Sequence, residues 1–135
     1  MLCCSHGYLE QYGGVKKIAE LANHNCVRHV NYPYGDDWRF ADRRGATTSV
    51  RISGNLITNS GEALRSAALQ GSGICLAAGF MVRDDLEAGR LVRLLPEYRS
   101  VELAMNAIYP HRHNLSAKVR IFIEFLVKHS ANLEC

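Results

Sequence analysis

Residues 54–80, GNLITNSGEALRSAALQGSGICLAAGF, decide how this chain is read. The segment passes from an extended apolar piece through a small polar turn into a helix, then into a continuously small and apolar run. Asn59, Ser60 and Gly61 make the turn. Asn59 or Ser60 can cap a helix over residues 62–70, Glu62 standing three residues after Asn59, and Gly71 supplies the stop. Residues 73–78 fit a strand buried on both faces. A helix beginning at such a turn leaves backbone N–H groups without intrahelical partners, ready for an anionic or carbonyl oxygen. This is a binding feature, and nothing comparable in the chain has the pattern of a catalytic site.

Working toward the N-terminus, residues 47–56 alternate with period two. Thr48, Val50, Ile52 and Gly54 face one way while Thr47, Ser49, Arg51 and Ser53 face the other, the mark of a half-buried strand. Residues 38–41 form a strand before it, and residues 25–31 another. Tyr32-Pro33-Tyr34-Gly35 is turn chemistry. Ser5 can cap a short helix through Tyr8, Leu9 and Tyr12 that ends at Gly13-Gly14, and residues 15–22 give a second with Ile18 and Leu21 inward. Met1-Leu2-Cys3-Cys4 reads as the last residues of a buried strand with no lead-in, so a fragment of something larger is expected.

Toward the C-terminus, residues 81–88 make a short helix, and residues 91–95 and 101–109 make strands. A closing helix runs to His129, with Leu115, Val119, Phe122, Ile123 and Leu126 as its apolar stripe and Arg120, Glu124 and Lys128 on its polar face. Strands and helices alternate, so the fold class is α/β with a mixed sheet.

The bulk properties exclude several functions. At 135 residues with 47% hydrophobic composition, the chain can bury a real core. A net charge of +3, spread among acids, lacks the basic clustering of a nucleic-acid surface. No apolar run has membrane-spanning length. Five cysteines in no regular framework point to reduced thiols and a cytoplasmic location. Cys3, Cys4, His6, His24 and Cys26 could ligate a soft metal, but adjacent cysteines and a C-x-H spacing do not match zinc pairs, and no metal or cofactor is expected. A Cys26 nucleophile with His24 or His29 as its base is the enzyme alternative, and His24 can share one strand face with Cys26. Yet no nucleophile elbow, P-loop or dinucleotide fingerprint accompanies it, and the chain is read as non-enzymatic.

The order of elements, with several local stretches, resembles the effector-binding domain of LysR-type transcriptional regulators. The stretches are Cys4-Ser5-His6-Gly7-Tyr8-Leu9 with Gly13, Leu21-Ala22-Asn23-His24-Asn25-Cys26, Trp38-Arg39-Phe40, residues 59–73, and Asp84-Asp85-Leu86-Glu87-Ala88-Gly89-Arg90-Leu91-Val92. Ala107-Ile108-Tyr109-Pro110 and Leu115-Ser116-Ala117-Lys118-Val119-Arg120 follow. The resemblance implies a type II periplasmic-binding-protein-like fold, in which two α/β lobes hold a small effector between them. Residues 5–100 would be the second lobe, nearly complete. Residues 1–4 and 101–135 would be a remnant of the first, and the helix-turn-helix domain and half the cleft would be missing.

On that reading the effector-binding residues are Ser5, Asn59, Ser60, Gly61 and Phe80. The partner is a small-molecule effector, with anions among the classes the amide ends would suit. DNA would be reached only through the absent helix-turn-helix, and no membrane is involved. Apolar faces left open at Leu2, Cys3 and Cys4, in residues 101–109 and on the last helix imply self-association, as a homodimer or by exchange of elements. His111-Arg112-His113 reads as a solvated loop. The alternative function is a stand-alone small-ligand-binding or protein-interaction module.

Overall fold

A computed structural model describes residues 1–100 and 116–130. The strand expected over residues 101–109, the loop 111–113 and Leu115 lie outside the described residues. The chain divides into two compact units, Met1–Val101 and Glu102–Cys135.

The first unit is built on a five-stranded sheet of β1 (Leu2–Ser5), β2 (Cys26–His29), β5 (Ile57–Thr58), β6 (Ile74–Leu76) and β7 (Leu91–Arg93), in the order β5-β2-β6-β1-β7. β2 runs parallel to β5 and β6, whereas β1 is antiparallel to both β6 and β7. Four strands therefore share one direction and β1 opposes them. A smaller sheet is formed by β3 (Asp37–Ala41), β4 (Thr47–Arg51) and β8 (Arg99–Ser100), in the order β4-β3-β8. Its central register pairs Trp38 with Val50 and Phe40 with Thr48.

Side-chain alternation along the strands sorts the core into two halves. Cys4, Cys26 and Ile74 point to one face of the large sheet. There they meet Trp38, Phe40, Val50 and Ile52 of the small sheet, and Tyr8, Ile18 and Leu21 of α1 (His6–Tyr12) and a 3-10 helix at Ile18–Asn23. Cys3, Val27 and Cys75 point to the other face, against Leu64 and Ala68 of α2 (Gly61–Leu69) and Val82 of α3 (Gly79–Glu87). The outcome is a sheet covered on both faces, as its continuous apolar runs require.

Several elements differ from the sequence reading. The run 47–56 is a strand only to Arg51; Ile52 and Gly54 then carry the chain past β2, and Ile57–Thr58 joins the large sheet as its outer strand. The second short helix is a single 3-10 stretch. Residues 1–4 lie inside the sheet of the first unit, where Leu2, Cys3 and Cys4 are buried between β6 and β7. The apolar surface expected at those three residues is therefore already covered. In the second unit, α4 (Ala117–Ser130) begins with Ser116 Oγ accepting from the Val119 amide at 3.4 Å. Within the expected apolar stripe only Ile123 and Leu126 are half-buried.

Candidate functional site

The parallel strands fix which end of the large sheet can receive a ligand. Their carboxyl ends bring together Val30, Thr58 and Ala77, and both α2 and α3 begin there. In open α/β sheets ligands bind beyond the carboxyl ends of the strands, near the point where successive connections reverse direction. That reversal lies between β2, which leads outward to β5, and β6, which α2 reaches by crossing back.

The start of α2 is held by short-range bonds. The Ser60 amide donates to Thr58 Oγ1 at 3.0 Å, and Ser60 Oγ accepts from the Ala63 amide at 3.3 Å. Ser60, not Asn59, is therefore the cap, so Glu62 stands at the second helical position and makes no capping box with Asn59. The amides of Gly61 and Glu62 are left without a partner among the described residues. The Glu62 carboxylate is engaged by Arg65 Nη1 at 3.0 Å, which offsets its charge beside those amides.

The start of α3 carries no side-chain cap at all. Ala78 is its N-cap, and the Gly79 and Phe80 amides are likewise unpartnered among the described residues. The two helix starts touch: a Cβ on Gly61 would lie 2.4 Å from Met81 Cε and 2.6 Å from its Sδ. Glycine at position 61 is what permits that approach. Phe80 is 60% exposed at the mouth of this corner, so it is not a core residue.

A buried ion-pair cluster fixes the angle between the helices. Asp85 of α3 has no exposed surface and accepts from Arg65 Nε of α2 at 2.5 Å and Nη2 at 2.9 Å, and from Arg90 Nε at 2.7 Å. The Arg65 hydrogen bonds, and then those of Arg90, hold the Asp85 carboxyl below its ordinary range against the opposing effect of burial.

The structure thus brings Asn59, Ser60, Gly61 and Phe80 together and leaves Ser5 out. Because β1 is antiparallel, its Ser5 end lies beside Gly73 and Leu91, at the amino ends of the parallel strands. Ser5 Oγ accepts from the Tyr8 amide at 3.2 Å and is buried, the arrangement of a helix cap. A cleft of about 850 Å³ opens at that opposite end, lined among others by Tyr8, Tyr12, His24, Asn25 and Asn55. Tyr8 Oη meets His24 Nδ1 at 3.2 Å and accepts from the Asn25 amide at 3.1 Å. Sequence reasoning missed this cleft. It also missed the Gly79 amide, because nothing in Ala77-Ala78 marks a cap.

Cys26 Sγ contacts the Leu21 carbonyl at 3.7 Å, and burial pushes its thiol up to about 12, while His24 is engaged by Tyr8. Among the described residues no three His, Cys, Asp or Glu side chains gather as a metal site. Nor is any described helix long and apolar enough to cross a membrane.

Comparison with known proteins decides the family. The LysR substrate binding domain profile matches residues 1–131. This chain belongs to the LysR substrate-binding-domain family. It is 32% identical over 133 residues to the HTH-type transcriptional regulator DmlR of Escherichia coli K12, covering 97% of this chain and 42% of that regulator. The transcriptional activator TtdR of the same strain is 34% identical over 128 residues, covering 93% of this chain and 40% of the activator. Of solved structures, CrgA of Neisseria meningitidis superposes with a TM-score of 0.75 at 31% identity, over 97% of this chain and 44% of CrgA. The separate CrgA regulatory domain gives 0.72 at 29% identity, over 95% of this chain and 62% of that domain.

The chain therefore spans about two-fifths of the curated relatives it matches, in their C-terminal part. Its α/β fold with a mixed sheet is that of LysR-type regulatory domains, which are periplasmic-binding-protein-like. The matched stretch lies within the effector-binding regulatory domain. The relatives are transcriptional regulators, which are not enzymes.

Proposed function

We propose that this chain senses a small effector at the corner where α2 and α3 begin. The observation that carries the reading is the proximity of two helix starts with four amides unpartnered among the described residues, those of Gly61, Glu62, Gly79 and Phe80. Two positive helix ends at the same end of the sheet favour a negatively charged group, and a small organic carboxylate suits that field. Ser60 and Asn59 supply polar edges beside it, and the exposed Phe80 ring supplies an apolar wall. Ser5 acts at a distance, as the cap that holds α1.

In the longer regulator, effector binding biases lobe closure and thereby the arrangement of subunits on DNA. Such coupling requires different affinities for the two states. DNA contact belongs to another part of such a regulator, and the assembly works in the cytoplasm. Association between copies uses the outer edge of β5. There Ile57 is 52% exposed, and Val30, just past the end of β2 and bonded to the Thr58 carbonyl, is 58% exposed; the edge of β5 is unpaired among the described residues and invites a partner strand.

Isothermal titration with acetate, succinate and benzoate, on the wild-type chain and on Gly61→Val, tests the site. The valine side chain intrudes between the helix starts. Binding of at least one acid that weakens about tenfold or more in the variant supports the reading. Equal binding by both proteins, or no binding by either, contradicts it.

A further inference from the structure

We infer that Cys3 and Cys75 are a thiol pair arranged to close into a reversible disulfide when the chain meets a peroxide. The two residues are register partners on the antiparallel strands β1 and β6, and their Sγ atoms lie 3.5 Å apart. Met1 and Ala77 exchange backbone hydrogen bonds in both directions, which sets the alternation along this strand pair. Cys3 and Cys75, two positions on, are again a hydrogen-bonded pair, for which the Cα atoms stand about 5.5 Å apart. That separation is within the usual Cα span for a disulfide.

Neighbouring cysteines show that proximity, not burial, sets this pair apart. Cys4 and Cys26 point to the opposite face, and burial pushes both thiols up to about 12. Cys3 moves the other way, below the ordinary thiol value, through its hydrogen bond with Cys75, in which either sulfur can donate. Cys75 moves up through the same bond and through burial. One member is thus the readier nucleophile and the other retains its proton.

The chemistry balances with a peroxide as the oxidant. Cys3 releases its proton, its thiolate attacks one peroxide oxygen, an S–O bond forms and the O–O bond breaks, and the departing hydroxide or alkoxide takes up that proton to leave as water or an alcohol. The Cys75 sulfur then attacks the Cys3 sulfur, the S–S bond forms, the S–O bond breaks, and the departing hydroxide takes the Cys75 proton as water. Two thiols are oxidised and one peroxide is reduced. Hydrogen peroxide is close to water in size and enters through local openings of the native state, whereas bulkier alkylating reagents are held out. The bond staples β1 to the strand that leads through Ala77 to the start of α3.

The test treats the folded 135-residue chain with hydrogen peroxide, then maps peptides without reduction. A loss of about 2 Da in one linked peptide pair holding Cys3 and Cys75, reversed by dithiothreitol, is the expected result. Cys4→Ser forms the same link, Cys75→Ser does not, and the near-ultraviolet signal of Trp38 persists through oxidation. Two free thiols at Cys3 and Cys75 after other residues have oxidised would overturn the inference. So would Cys3 bonded to a different cysteine, or a link that forms only in urea.

Discussion

Replacing Asp85 by Asn tests how the two helix starts are held in place. The carboxylate is fully buried and accepts three hydrogen bonds, two from Arg65 and one from Arg90, all from cations. Breaking a fully buried ion pair by removing one partner costs about 3–5 kcal/mol. Here the Arg65 and Arg90 side chains are 26% and 54% exposed, so the abandoned cations regain water and the cost falls. The expectation for Asp85→Asn is a loss of about 2–3 kcal/mol at pH 7. For a unit of this size that lowers the thermal midpoint by roughly 8–24 °C.

The pH dependence follows from the direction of the shift. The folded-state pKa of Asp85 lies below its unfolded value, so its stabilisation is fully present above about pH 4, the unfolded value. As pH falls through the lowered folded value that contribution disappears. Urea melts of wild type and Asp85→Asn from pH 7 to pH 2 should differ most at neutral pH and converge in acid. Equal urea midpoints at pH 7, or a gap that widens as pH falls, would refute the argument.

Three further outcomes follow from single contacts. Ser60→Ala loses the cap on Ala63 and should lower stability by about 1 kcal/mol, while Asn59→Ala should leave the urea midpoint within about 0.5 kcal/mol of wild type. Gly54→Ala places a Cβ 1.9 Å from the Cys26 backbone oxygen, which cannot yield as a flexible side chain can, so chemical denaturation should show a loss of at least about 2 kcal/mol. Iodoacetamide at pH 7.5 should modify Cys26 and Cys4 far more slowly in the folded chain than in urea, because both thiols are buried and pushed up to about 12.

Much of the architecture was legible in residues 54–80, because the small polar turn, the capped helix and the apolar run each have a distinct local cause. The alternation from Thr47 onward also fixed which residues turn inward, and Val50 and Ile52 are buried as it requires. What escaped was set by distant partners. Ile57–Thr58 is a strand only because Arg28 and His29 offer it backbone bonds, and Arg99–Ser100 only because Phe40 and Ala41 do. The site residues divided for a similar reason: Ser5 and Ser60 both read as caps, and only the antiparallel course of β1 places them at opposite ends of the sheet. The start of α3 lacked any capping side chain, so its free amides left no mark in the sequence.

Amide-resolved NMR of the isotopically labelled chain, titrated with succinate, tests the effector corner most directly. Shifts concentrated at Gly61, Glu62, Gly79 and Phe80, with Ser5, Tyr8 and Ser72 unmoved, are the expected pattern. Shifts gathered instead around Tyr8, Asn25 and Asn55, at the other end of the sheet, would contradict the account.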